Sequence, residues 1–166
     1  MYLYQGPVRD AILDWKLHGR DQAVRWLLEG AVPHLQTLLH PDDLVLPLPM
    51  PLSRMRHSGQ HHTANLSRWL AGAVGCRWDW RLLRRQGDQP RQSSLSGQAR
   101  RQNLRKAFRL DSDYLKRQMP EQSIRCIWIV DDILTTGATL HFAARAVAGM
   151  KRPVRVLSLA RTKYHG

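Results

Sequence analysis

A chain of 166 residues, 43% hydrophobic and 23% charged, has the size and composition of a single globular domain with a real core. No apolar run is long enough to span a bilayer, no basic-then-apolar leader follows Met1, and Cys76 and Cys126 are far apart with no CxxC; a cytoplasmic protein with no disulfide framework, no zinc site and no membrane partner is therefore expected. The net charge of +13 divides into −2 over residues 1–50, +11 over 51–125 and +4 over 126–166, so the middle of the chain suits polyanions: nucleic acid or phosphorylated sugars.

In chain order, residues 4–7 (Tyr-Gln-Gly-Pro) predict a turn, and residues 8–17 have helical spacing through Val8, Ile12 and Trp15. Asp21 then caps a second helix through residue 28, and Pro33 opens a third to residue 39. Residues 44–50 read as a strand closed by prolines, which stop a ladder and hold the exit extended. A loop with Arg54, Arg56, His57, Gly59, His61 and His62 follows, then an amphipathic helix over 65–74 that ends at Gly75. The histidines lack a nearby carboxylate or cysteine, so they read as polar, partly protonated loop residues rather than metal ligands. Residues 78–83 alternate as a strand, with Trp78 and Trp80 read first as core and second as a stacking surface. Residues 84–105 are basic and aperiodic, 107–110 strand-like, and 111–119 a short helix or loop.

The most informative stretch is 124–140. Residues 126–130 are apolar and β-branched, as in a strand buried on both faces, and they run into Asp131 and Asp132. Thr135, Thr136, Gly137, Ala138 and Thr139 follow, and a helical pattern starts at Thr139 with Leu140, Ala143, Ala144 and Val147. Backbone N–H groups in such a loop can converge on a phosphate, aided by the positive end of the helix dipole. Gly137 permits a close approach and a positive φ. The carboxylates can accept from sugar hydroxyls or hold a hydrated Mg²⁺. No Walker loop and no GxGxxG is present. Residues 154–160 make a final buried strand.

This motif resembles the phosphoribosyl-pyrophosphate loop of the type I phosphoribosyltransferases. Three further series resemble the ComF/GntX branch of that family, named for competence proteins of DNA uptake: Tyr4, Gly6, Ile12, Lys16 and Gly19; Gln92, Leu95, Arg100, Asn103, Ala107 and Phe108; and Ala160-Arg161-Thr162. Ser58, Gln60, His61 and His62 depart from the family's usual residues around Gly59, and the cysteine-rich zinc segment that usually precedes this region is not in the sequence. The resemblance implies an α/β fold, a doubly wound parallel sheet of the type I phosphoribosyltransferase kind, in a single domain with a helical lead-in over 1–40 and a core over 41–166. It implies phosphoribosyl pyrophosphate or ribose phosphate as ligand with Mg²⁺ as cofactor, Asp131 and Asp132 as catalytic and metal-holding residues, and 135–139 around the ribose phosphate. Arg54 and Arg56 would face the pyrophosphate, and Gln92, Arg100 and Asn103 would sit on a mobile loop. Transfer of phosphoribosyl to a nitrogenous acceptor is one expectation, with enzymatic activity left open. The other is a non-catalytic competence factor that binds single-stranded DNA or a helicase partner. Self-association is left open.

Overall fold

A computed structural model describes residues 1–51, 53, 55–56, 59–86, 104, 106–118 and 124–163. Five strands form one parallel sheet: β1 (Tyr2–Leu3), β2 (Leu44–Pro47), β3 (Arg77–Trp78), β6 (Ile127–Leu134) and β7 (Val154–Arg161), in the order β1-β7-β6-β2-β3. A separate antiparallel pair joins β4 (Leu83–Arg85) to β5 (Phe108–Leu110). The helices are α1 (Gly6–His18), α2 (Gln22–Leu38), α3 (His62–Val74), α4 (Ser112–Gln118) and α5 (Ala138–Val147), the last followed by a 3₁₀ turn (Ala148–Met150). This is the doubly wound α/β class that the sequence implied.

Strand alternation explains why helices cover both faces. In β6, Trp128 and Val130 pack into one core with Val45 and residues of α1, α2 and α3, among them Ile12, Trp15, Leu28 and Leu66. Ile127 and Ile129 join Leu44 and Leu46 in the opposite core, with Leu140 and Ala143 of α5, Leu115 of α4 and Phe108 of β5. The crossover β2-α3-β3 runs one way along the sheet and β6-α5-β7 the other, so right-handed crossovers place α3 and α5 on opposite faces.

Two expected elements differ. The helices expected at 21–28 and 33–39 are one helix, α2, with Pro33 inside it. Proline removes one N–H, but Val24, Leu27, Leu28 and Leu35 form a buried stripe that carries the helix through. The strand expected over 78–83 is broken. Asp79 Oδ1 accepts from the N–H groups of Arg81 and Leu82 (2.7 and 2.8 Å), its Oδ2 accepts from the Tyr114 hydroxyl (2.8 Å), and the chain turns out of the main sheet into β4. Trp78 stays half-buried against a core, whereas Trp80 is 46% exposed.

At the amino end of β2, Asp43 is fully buried and accepts from Arg125 Nε and Nη2 (both 2.8 Å), Trp128 Nε1 (2.9 Å) and the His40 N–H (3.0 Å). Burial favours the neutral acid, yet the bonds from Arg125, Trp128 and His40 outweigh it and hold this carboxyl below its ordinary range. A depressed carboxyl contributes stability that is present above its unfolded pKa and lost as pH falls through the folded one. Asp43→Ala is expected to cost about 2–4 kcal/mol and to lower Tm by roughly 5–15 °C at pH 7. The deficit should narrow in thermal melts taken below pH 4.

Candidate functional site

The two crossovers diverge at the boundary between β2 and β6, which makes the carboxyl ends of these strands the topological switch point where open α/β sheets bind ligands. The β2 ladder stops at Pro47, its last partner Val130, with one more bond from the Leu48 N–H to the Val130 carbonyl at 2.8 Å. β6 does not stop there. It continues beside β7 alone, with Asp131 opposite Ser158, Ile133 opposite Ala160 and Leu134 opposite Arg161. The acid pair therefore lies inside the strand rather than after it, on the stretch that has lost its β2 neighbour.

Alternation puts Asp132 on the face of Trp128 and Val130, toward α1, and its Oδ2 lies 2.6 Å from Lys16 Nζ. Asp131 belongs to the opposite parity, and its Oδ1 accepts from the Asp132 N–H at 2.9 Å. Burial first, and then the Asp132 charge, push the Asp131 carboxyl from an ordinary 3.8 up to about 7. The residues 135–137 bend into α5, with Thr135 and Thr136 exposed. Gly137 sits at the N-cap with φ +74°, where side-chain-bearing residues are strained. No side chain caps α5, so the first-turn N–H groups have no side-chain acceptor at Gly137. Ala138 and Thr139 form that first turn and are half-buried.

Arg56 is exposed. Arg54, His57, Gln92, Arg100 and Asn103 lie outside the described residues. The remaining loop histidines are not the partly protonated pair expected. His61 caps α3, its Nδ1 accepting from the Ala64 N–H at 3.1 Å, and burial holds its pKa below the ordinary value. His62 is 6% exposed and edge-on to Trp15 at 4.9 Å; burial, and then the Lys16 charge, lower its pKa too. Its Nδ1 is buried without a partner. No group of three His, Cys, Asp or Glu placed to hold a metal occurs among the described residues.

The site residue without an assigned role in the sequence is Lys16. Its signal was its spacing: four residues after Ile12 and next to Trp15, both buried, a lysine falls on the inward face of an amphipathic helix.

No protein-family model matches the chain. It is similar to proteins named DNA utilization protein YhgH: 34% identical over 125 residues to that of Salmonella typhi (70% of this chain, 52% of the relative) and 31% over 137 residues to that of Salmonella typhimurium (82% and 57%). The Escherichia coli K12 protein of the same name is 37% identical over 98 residues (58% and 38%). The chain spans about half the length of the two Salmonella relatives. Among the described residues no helix is long and apolar enough to cross a membrane.

Because the folded pKa of Asp131 lies above the unfolded one, its contribution to stability is full below about pH 4 and is lost as pH rises through about 7. Asp131→Asn is therefore expected to be about 1–3 kcal/mol more stable than the parent protein at pH 8.5. The gain should shrink toward pH 5 in paired thermal melts, and a gain independent of pH would contradict the shift.

Proposed function

We propose that this crevice binds a phosphorylated ribose, with phosphoribosyl pyrophosphate as the ligand that uses all of it. The observation that carries the reading is the convergence, at the switch point, of an uncapped helix N-terminus behind a left-handed Gly137 with two adjacent carboxylates on an open strand. In this reading the N–H groups and hydroxyls of Thr135, Thr136, Gly137, Ala138 and Thr139 take the 5-phosphate. Asp131 and Asp132 accept from the ribose hydroxyls, and Arg56, with Arg54, faces the pyrophosphate. Displacement of pyrophosphate from the anomeric carbon by a nitrogenous acceptor is the transfer such an arrangement suits. Its transition state needs charge stabilisation rather than a protein nucleophile.

Mg²⁺ fits this donor set only in part. Asp132 already has the Lys16 ammonium as its cation, burial and the neighbouring charge favour the protonated form of Asp131, and no third donor joins them among the described residues. Such carboxylates suit an ion brought in by the ligand's own phosphates and retaining most of its waters, where it would neutralise pyrophosphate charge.

A second reading has its own support. The similar proteins are named for DNA utilization, and the β4–β5 side exposes Trp80 with the Arg81 guanidinium 5.3 Å from its ring, beside exposed Arg84 and Arg109. Aromatic and basic side chains interleaved in this way suit single-stranded DNA. The two readings are compatible, since they draw on different described residues.

Calorimetry should show phosphoribosyl pyrophosphate and ribose 5-phosphate binding, weakened at least about tenfold in Thr136→Ala/Gly137→Val, because valine is strained at φ +74° and crowds the N–H groups. Undiminished binding in that double variant sinks the assignment. Affinity for single-stranded DNA should fall with salt at a log–log slope of about −0.7 per phosphate contacted. It should survive Asp131→Asn/Asp132→Asn, which removes ribose-phosphate binding; joint loss with the fold intact would mean one shared site.

A further inference from the structure

We propose that Lys16 is a further binding residue of this site: its ammonium, whose counterion is Asp132, receives the pyrophosphate end of the ligand. The assignment rests on reading the crevice as a phosphoribosyl site, and it adds the group that takes the end remote from the 5-phosphate. Parity sets the geometry. α5, whose N-terminus would take the 5-phosphate, covers the face of Ile127 and Ile129, whereas Lys16 approaches the acid pair from the face of Trp128 and Val130. A ribose lying over the two carboxylates would then have its 5-phosphate on the α5 side and its anomeric substituent toward α1.

The surroundings of Lys16 suit that task. The side chains of Lys16 and Asp132 are 29% and 13% exposed, so the pair is screened from bulk water yet open on one side. One N–H of the ammonium meets Asp132 Oδ2, and an ammonium has three. Gln60, just before α3, reaches the end of α1: its Nε2 lies 3.4 Å from where a Cβ on Gly19 would stand. His62 is buried near enough to Lys16 and Asp132 to feel both charges, and among the described residues its Nδ1 has no hydrogen-bond partner. In a chain of net charge +13, a lysine drawn toward the sheet and paired with an acid stands apart from the exposed surface cations. An incoming polyanion can share the ammonium with Asp132 or take it over.

Two variants separate this role from that of a plain structural ion pair, because they should act in opposite directions on binding of inorganic pyrophosphate. Lys16→Met should weaken it about tenfold or more, the loss of one charge-assisted contact. Lys16→Arg should keep it within about threefold, which also provides a folded variant should the methionine prove unstable. Asp132→Asn should leave pyrophosphate binding unchanged or tighter, since it removes a competing anion and releases the lysine. Isothermal calorimetry of the full chain with pyrophosphate, alongside thermal melts, reads all three. Pyrophosphate binding that is absent in the parent protein, unchanged in Lys16→Met, or lost in Asp132→Asn as fully as in Lys16→Met would overturn the assignment. Parent protein that binds pyrophosphate through Lys16 but does not bind ribose 5-phosphate would support it while sinking the sugar reading.

Discussion

The candidate site lies where β2 stops four residues before β6 does. Through Val130, β6 is flanked by β2 and β7, buried on both faces and fully laddered. Pro47 has no N–H to donate, and the chain after it turns away toward α3, where the Thr63 hydroxyl holds the Leu48 carbonyl at 2.9 Å. From Asp131 onward no described strand pairs with that edge of β6. A carboxylate could not be carried through the middle of this sheet without a partner for it, but at a strand with a free edge it can be half-desolvated and still reachable. The raised Asp131 and the tethered Asp132 both follow from that difference in strand length.

Charge is distributed against the trend of the molecule there. A chain with twice as many Lys and Arg as Asp and Glu places two adjacent acids at its switch point and moves a lysine of α1 to meet one of them. Among the described residues, exposed Arg81, Arg84, Lys106 and Arg109 lie on or beside the β4–β5 pair. A small anion and a nucleic-acid strand would thus meet different fields on one molecule, and neither would need the other's residues.

Most of the sheet was legible in the residues. Buried parallel strands announce themselves as apolar runs, so β2 and the first half of β6 were readable, as was the loop between β6 and α5. β7 was expected to be buried too, but only Ser158, Leu159 and Ala160 are, and Val156 is 47% exposed. Local patterns misled where a side chain made the decision. Asp79 turns the chain after two strand residues despite the alternation of Trp78, Trp80 and Leu82. Pro33 failed to break α2 because four buried side chains outweigh one missing bond. β1 carries two residues and depends on β7 for its register, which no local pattern could reveal. The Lys16–Asp132 contact joins residues far apart in the chain, so the sequence showed an inward-facing lysine but not the acid it would meet.

Two acids near the same strand show how a structural carboxylate differs from one available to a ligand. Asp43 is sealed, with four donors around two oxygens, and the net result is a carboxyl held more acidic than usual. Three of those donors converge on Oδ2 and one reaches Oδ1, and any ligand would have to break a bidentate arginine contact to reach it. Asp131 is the reverse case. The Asp132 N–H donates to it, a like charge sits on the next residue, and burial raises its pKa to about 7. Partial burial beside a like charge is an unfavourable state for a purely structural carboxylate, and in the proposed reading a sugar's hydroxyls would supply further donors there. The same contrast separates the two cations: Arg125 makes its bidentate contact with a carboxylate that is closed to solvent, whereas Lys16 meets a carboxylate that is open on one side.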